Sequence, residues 1–219
     1  MLKRPVAIVA AACAALLGMT GGARLHPHVF AEARLDVVLS PDDRSVISLR
    51  HLWRFDELFS STVMLEFDSN ADLKLDDEEL NEVADTISSS LAEYNYFQIV
   101  TADGRDVKMN APSQIMTNFD DGQLIVLFES KPEEPIGLSG IIDLAVYDPT
   151  FYTALEFIED DHMAVDRLPA ACSRQVIRPD PDTAIAQNQQ TLTEAFFNDP
   201  SGNDLSKIFA TKLQLTCTQ

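Results

Sequence analysis

Residues 97–128 read FQIVTADGRDVKMNAPSQIMTNFDDGQLIVLF, and this stretch decides the fold class. Short apolar runs within it are separated by two Asp-Gly pairs, at 103–104 and 121–122. Asp-Gly between alternating apolar runs is the strongest short-range signal for a β-hairpin. The stretch therefore predicts successive antiparallel strands at residues 97–101, 107–109, 115–119 and 124–128.

The same alternation continues on both sides of this stretch. Upstream, residues 28–39 and 46–55 flank the turn residues Ser40, Pro41, Asp42 and Asp43, which predicts another hairpin. Downstream, residues 138–147, 172–177 and 212–217 are predicted strands, and residues 183–197 have helical propensity. Many short strands with turn signals between them predict a mainly β protein (α+β), folded as an antiparallel β-sandwich.

A helix-loop-helix interrupts the strands at about residues 56–93. Asp56 can cap a first helix, in which Leu58, Phe59, Val63 and Met64 recur at helical spacing. A second helix is predicted at about 77–93, with apolar residues along one face. We expect this unit to be inserted in a single domain that spans residues 24–219.

The loop between the two predicted helices, residues 68–79, reads DSNADLKLDDEE and matches the twelve-residue EF-hand frame. Ca²⁺ requires six to eight hard oxygen ligands, and the frame supplies them at alternate positions. The predicted ligands are Asp68, Asn70, Asp72, the Lys74 carbonyl, Asp76 and Glu79. We expect a structural Ca²⁺ site; the alternative is an acidic loop that keeps this shape without an ion.

One position departs from the frame. Leu73 stands where the frame has a glycine, whose backbone can take a positive φ. An ordinary L-residue adopts that conformation at a cost of about 1 kcal/mol or more. The substitution predicts a weaker calcium site, or its loss.

Two histidines lie near the start of the first predicted strand. His26 and His28 are two residues apart, so in a strand they project to the same face, and paired imidazoles can bind Zn²⁺, Ni²⁺ or Cu²⁺. Pairing in the first hairpin would bring His28 close to Asp56 and Glu57, which could complete the site. In the alternative, the histidine pair anchors the strand by hydrogen bonds.

The first 23 residues have the pattern of a secretory signal peptide. Lys3 and Arg4 precede an apolar run at 6–19, and small residues follow at 21–23. Removal of two cations and no acid would change the net charge from -19 to -21. So acidic a chain argues against nucleic acid and anionic membranes as partners. We expect a periplasmic protein with no membrane insertion after cleavage.

Cys172 and Cys217 are the two cysteines outside that leader. An even pair of cysteines in an exported chain predicts a disulfide rather than a redox or metal site.

Several motifs occur in order along the chain: HPHVF at 26–30, WRFDE at 53–57, the acidic loop, YNYF at 94–97, YDPTFY at 147–152, and the two cysteines. This set resembles a family of uncharacterised bacterial periplasmic proteins, often labelled periplasmic components of ABC-type transport systems and encoded beside nickel/cobalt-type permeases. The resemblance implies metal homeostasis at the envelope and an inner-membrane metal transporter as partner. Leu73 departs from the glycine usual in the family's loop.

The leading hypothesis is a periplasmic metal-binding or transporter-accessory protein in divalent metal-ion homeostasis. A second hypothesis is a calcium-stabilised structural or interaction module without transition-metal binding. A hydrolase is the third, and neither a Gly-x-Ser-x-Gly elbow nor a His-Glu-x-x-His helix supports it. We therefore expect no enzymatic activity.

Overall fold

A computed structural model describes residues 27–188 and 208–218 of the protein. Two helices, α1 (Glu57–Phe67) and α2 (Asp77–Ala92), lie next to each other in sequence, and residues 181–188 are also helical. Single 3₁₀ turns occur at Asn95–Phe97 and Asp160–His162. The described strands are β1 (Val29–Leu39), β2 (Ser45–Phe55), β3 (Gln98–Ala102), β4 (Arg105–Asp106), β5 (Met109–Asn110), β6 (Ile115–Asp120), β7 (Gln123–Pro132), β8 (Ile136–Gly137), β9 (Gly140–Val146), β10 (Thr153–Glu156), β11 (Met163–Val165), β12 (Cys172–Ile177) and β13 (Lys212–Cys217).

The larger sheet is built around the long strands β1, β2 and β7, which pair antiparallel in that order. Strands β5 and β6 pair with the far side of β7, and β8 extends the edge beside β2. On the other edge, β10 and then β11 pair with β1 in parallel. Between β10 and β11 the chain is not paired with β1.

The smaller sheet has the order β12-β13-β9-β3-β4 and is antiparallel throughout. Its central strand β9 pairs with β13 over six residues and with β3 over five. Strand β13 thus lies between two partners that are far from it in sequence.

One hydrophobic core is shared by the two sheets. Alternate residues of β1, from Ala31 to Val37, are buried, as the period of two predicts. Trp53 of β2 and Leu144 of β9 belong to the same cluster of buried side chains. The mainly β class is as the sequence predicts, and both sheets are rich in antiparallel pairs. The parallel pairing of β10 and β11 with β1 departs from the predicted antiparallel arrangement.

Both predicted Asp-Gly turns are two-residue hairpin loops. Asp103 and Gly104 have φ of 47° and 74°, and Asp121 and Gly122 have φ of 52° and 76°. Positive φ at both central residues is the type I′ pattern, whose twist suits a hairpin. The first turn joins β3 to β4, and the second joins β6 to β7.

The helix pair is attached to the β6–β7 hairpin through two hydroxyl groups. Ser60, fully buried in α1, donates to the Asp56 carbonyl at 2.7 Å and accepts from the Leu124 N–H of β7 at 2.9 Å. Thr117 of β6 donates to the Leu80 carbonyl of α2 at 2.7 Å. Each helix is thereby bonded to a different strand of one hairpin.

Several predicted segments lie outside the described residues: the leader at 1–23, His26, and the later part of the helix predicted at 183–197. None of the described helices has the length and apolar character needed to cross a membrane.

Candidate metal centre

The acidic loop connects the end of α1 to the start of α2. Asp68 is the last-turn cap of α1, and Asp76 caps α2 by accepting from the N–H groups of Glu78 and Glu79 at 2.9 and 3.0 Å. The Asp68 carboxylate accepts from the N–H groups of Asp72 and Leu73 at 3.1 and 2.8 Å. Asp68, the first residue of the frame, therefore fixes the backbone at Asp72 and Leu73 in the middle of the loop.

Leu73 adopts the conformation that the frame assigns to glycine. Its φ is 64°, in the left-handed region, and its side chain is 72% exposed. The tight turn is thus made without a glycine, at a conformational cost of about 1 kcal/mol. The next residue but one, Leu75, packs against the hydrophobic core, as the apolar position of the frame requires.

Glu79, the last residue of the frame, contacts Ser69, the second residue. Its Oε1 accepts from both the N–H and the hydroxyl of Ser69 at 2.8 Å, and its Oε2 accepts from the Asp76 N–H at 3.0 Å. The bonds from Asp76 and then Ser69 lower the pKa of this carboxyl below its usual value. Glu79 is only 5% exposed, so it presents a buried negative charge at the mouth of the loop.

The donor chemistry fits a hard cation, because the frame contributes four carboxylates and an amide oxygen. Asn70 Oδ1 and Asp72 Oδ1 each accept one backbone N–H at 2.9 Å, and an ionised oxygen has further lone pairs for a ligand. Ligands of one Ca²⁺ at 2.3–2.6 Å lie within about 5 Å of each other. In the described part of the chain, the three ligating side chains that lie within 4.8 Å of one another are Glu159, Asp161 and His162. No three acids of the described loop meet this distance, so the loop carboxylates are spread more widely than the ligands of a bound ion.

The residues predicted to bind a transition metal are placed as follows. His28 is exposed, its N–H donates to the Tyr152 carbonyl at 2.9 Å, and its ring lies 5.2 Å from the Tyr152 ring. Asp56 uses one carboxylate oxygen to accept from the Phe30 N–H at 2.8 Å and the other to cap α1 at Phe59.

Glu57 is exposed at the first position of α1, and His26 is outside the described residues. Within the described ranges, no set of three ligating side chains within 4.8 Å contains His28, Asp56 or Glu57. Asp56 bonds to Phe30 of β1, two residues along from His28, and its carboxylate is engaged by backbone N–H groups. The His26 and His28 site therefore stays a prediction.

A compact group that the sequence analysis missed lies at the Asp160–His162 turn. One ligating atom from each of Glu159, Asp161 and His162 lies within 4.8 Å of the others. His162 is 8% exposed, whereas both acids are exposed. The local signal was the run Glu-Asp-Asp-His at 159–162, which has carboxylates directly before a histidine.

His51, by contrast, is a core histidine. Its ring is stacked on Phe128 with centroids 4.3 Å apart, and its Nε2 lies 3.4 Å from the Ser130 hydroxyl. Ser130 in turn donates to the Gln98 side chain. Burial lowers the pKa of His51 to about 3, so the ring is neutral at physiological pH.

The predicted disulfide is present. Cys172 and Cys217 are bonded, and they face each other in the antiparallel pair of β12 and β13. The bond joins the edge strand of the smaller sheet to its neighbour.

The two antiparallel-rich sheets and the attached helix-loop-helix define a mainly β protein. The chain belongs to the family described as "Protein of unknown function (DUF1007)", which matches residues 11–217. It is similar to an uncharacterized protein of Haemophilus influenzae, with 24% identity over 206 residues that cover 92% of this chain and 97% of that protein. No solved structure matches the chain. The expected membership of an uncharacterised family is confirmed.

Proposed function

We propose that this is an exported divalent-cation-binding protein that serves a metal-ion transporter of the cell envelope and holds Ca²⁺ in the loop from Asp68 to Glu79. The observation that supports calcium most strongly is the position of Glu79. Bonded to Ser69, it brings the last ligand of the frame beside the first ones. A bidentate acid at this position is the ligand that the EF-hand frame requires.

The backbone at Leu73 supports the same proposal. The left-handed turn is already formed in the loop, so its strain weakens the folded state with or without an ion. Calcium then binds without having to impose the turn. Its binding energy serves to draw the carboxylates inward around the ion. We also interpret the two sheets as a β-sandwich, because they share one core, with the helix-loop-helix built onto one edge of it.

The transition-metal part of the proposal rests on His26 and His28. Residues two apart in a strand project to the same face, and His28, which directly precedes β1, is exposed. A periplasmic protein with such a pair could pass Zn²⁺, Ni²⁺ or Cu²⁺ to an inner-membrane transporter. The exported location, the absence of enzymatic activity and the transporter partner belong to this proposal.

Calorimetric titration of the chelator-stripped mature chain with Ca²⁺ tests the calcium site. We expect Glu79→Gln to abolish binding, since the amide offers one neutral oxygen in place of a bidentate carboxylate. Glu78→Gln is the matched control, because it removes the same charge from an exposed neighbour outside the frame's ligands. Equal calcium affinity in the two variants contradicts the proposal. Parallel titrations with Zn²⁺, Ni²⁺ and Cu²⁺, using His26→Ala with His28→Ala, test the transition-metal part.

A second function is favoured by the apolar surface of the helix-loop-helix. Leu58 and Leu65, seven residues apart on α1, are 78% and 76% exposed, and Leu73 is nearby in sequence. Large exposed apolar residues that cluster mark binding surfaces for other proteins. In this function, calcium stabilises a module that binds an envelope protein. It predicts a melting temperature raised by Ca²⁺ and no transition-metal binding.

A further inference from the structure

The Asp160–His162 turn lies against the middle of β1 because of the parallel pairing on that edge. Strand β10 ends with Glu156 beside Glu32, and β11 begins with Met163 beside Leu35. The connecting segment therefore passes Ala33 and Arg34. Even-numbered residues of β1 face outward, so Glu32 and Arg34 project toward this segment rather than into the core.

The turn itself is held in place on its other side. Arg174 donates to the Asp160 carbonyl, and Arg178 donates to the Asp160 carboxylate and, at 3.0 Å, to the Phe157 carbonyl. These bonds occupy Asp160 and leave Glu159 and Asp161 exposed on either side of it. The two acids thus lie close to His162 on a turn that Arg174 of β12 and Arg178 hold in place.

His162 carries the observation that points to a ligand. The ring is 8% exposed, and its Nδ1 is buried with no hydrogen-bond partner. Oε1 of Glu32 lies 3.6 Å from Nδ1, which is too far for a hydrogen bond. A buried ring nitrogen without a partner is costly unless something binds it.

We propose that Glu159, Asp161 and His162 form a site for a first-row divalent metal ion such as Zn²⁺. Glu32 lies outside their 4.8 Å group but 3.6 Å from His162 Nδ1, and it would move inward to complete the site as a fourth ligand. One ligating atom from each of the first three lies within 4.8 Å of the others, close to the spread around an ion with bonds of about 2.0–2.2 Å. One imidazole with carboxylates is a common ligand set for such ions. The site is separate from the calcium loop and from His26 and His28.

Arg34 competes with the metal for His162. Its guanidinium nitrogen lies 3.2 Å from Nε2 and can only donate, so Nε2 must accept. If the metal binds Nε2, it takes that lone pair; if it binds Nδ1, then Nε2 of the neutral ring carries the proton. Arg34 must leave in either case, and its half-exposed side chain, 3.7 Å from Glu32, has room to do so.

The electrostatics favour this exchange. Glu32, Glu159 and Asp161 contribute three negative charges and Arg34 one positive charge around the ring, which leaves two negative charges for a divalent ion to balance. When Arg34 turns away, the site loses the positive charge of the guanidinium and gains that of the metal ion. Arg34 thus lowers the affinity of the site for metal and gives the buried imidazole a partner in its absence.

Titration with Zn²⁺ and Co²⁺ tests the site in the mature chain that carries His26→Ala and His28→Ala. Of the four histidines in the sequence, two are then replaced and His51 is buried in the core, so His162 is the remaining imidazole beside carboxylate ligands. We expect one bound ion, with a visible Co²⁺ absorption band, and at least about tenfold weaker binding in Asp161→Asn. Asp166→Asn, in which an exposed carboxylate outside the site is removed, is the control.

Two further variants make the outcome decisive. Arg34→Met should bind Zn²⁺ more tightly, whereas Arg50→Met, on the same face of the sheet and paired with Glu129, should not. His162→Gln should abolish binding and the Co²⁺ band, and its circular dichroism is checked against the parent. The proposal is overturned if the parent binds no Zn²⁺, or if Asp161→Asn and Arg34→Met leave the affinity unchanged.

Discussion

Glu79 accepts two hydrogen bonds from Ser69 on one carboxylate oxygen, from the N–H and from the hydroxyl, each at 2.8 Å. The contact joins the third residue of α2 to the second residue of the loop. The two ends of the loop are therefore joined by hydrogen bonds without an ion, so that the loop forms a closed ring.

The first prediction follows from this contact. Glu79→Gln should lower the melting temperature in the absence of calcium, because a neutral amide oxygen is a weaker acceptor than a carboxylate. It should also remove the increase in melting temperature that Ca²⁺ gives the parent protein. Thermal unfolding with chelator and with Ca²⁺ measures both effects. An equally large effect of Glu78→Gln would contradict the assignment, since its carboxylate lies outside the ring.

Leu73→Gly should stabilise the protein. The residue has φ of 64°, its side chain is largely exposed, and glycine takes this conformation without steric cost. We expect the free energy of unfolding to rise by about 1 kcal/mol, measured by urea denaturation. Lys74→Gly is the control: Lys74 has an ordinary φ, so glycine there should reduce the stability. A less stable Leu73→Gly variant would show that the leucine side chain makes a contact that outweighs the strain.

His51 should make the protein sensitive to mild acid. Its pKa is about 3 in the fold and 6.5 when unperturbed, so the unfolded chain binds the proton more tightly. Stability from the neutral ring is complete above pH 6.5 and decreases as the pH falls toward 3. At pH 5 the loss is about 2 kcal/mol, because pH 5 lies about 1.5 units below the pKa of the unfolded ring and each unit corresponds to about 1.4 kcal/mol.

The variant His51→Phe isolates this effect. Phenylalanine keeps an aromatic ring beside Phe128, while Ser130 retains its bond to Gln98. Urea denaturation of both proteins at pH 7.5 and pH 5 should show a smaller loss of stability in the variant. Identical losses would mean that another group is responsible.

Ser60→Ala should destabilise the attachment of α1 to the sheet. The hydroxyl is fully buried and accepts from the Leu124 N–H, which the alanine variant leaves without this partner. An unsatisfied buried group costs about 1–3 kcal/mol. Ser61→Ala is the matched control, since that exposed hydroxyl bonds only within the helix, to the Glu57 carbonyl. Chemical denaturation should show a loss for Ser60→Ala that is several times that for Ser61→Ala.

The disulfide should contribute about 2–4 kcal/mol to the free energy of unfolding. The bonded cysteines, Cys172 and Cys217, are 45 residues apart, so the cross-link restricts a long loop of the unfolded chain. Replacing both cysteines by serine, and denaturing in parallel with the oxidised and reduced parent, measures the contribution. Equal stability of all three forms would contradict it.

Local signals in the sequence were sufficient for much of the fold. The two Asp-Gly turns, the β1–β2 hairpin and the capping residue Asp56 are all decided by residues within a few positions of each other. The strands at Cys172–Ile177 and Lys212–Cys217 have the predicted bounds. In each case the side-chain period or the cap identified the element.

What the sequence could not predict depends on long-range pairing. Strands β10 and β11 have four and three residues, too few to show a period, and both are recognised only by their parallel pairing with β1. That pairing brings Glu32 and Arg34 to His162, more than 120 residues away. Local sequence patterns therefore could not predict that Glu32 and Arg34 lie beside His162. They could show only the acidic residues that directly precede this histidine in the sequence.

The two hydroxyl bonds of Ser60 and Thr117 have a mechanical consequence for the helix pair. Strands β7 and β6, to which they attach α1 and α2, are paired with each other over six residues. The angle between the helices cannot change unless one of these hydroxyl bonds breaks or one strand slides along the other. The hairpin thus braces the two helices, and an ion that draws the loop carboxylates inward would lengthen the lifetime of the folded chain without changing the angle between the helices.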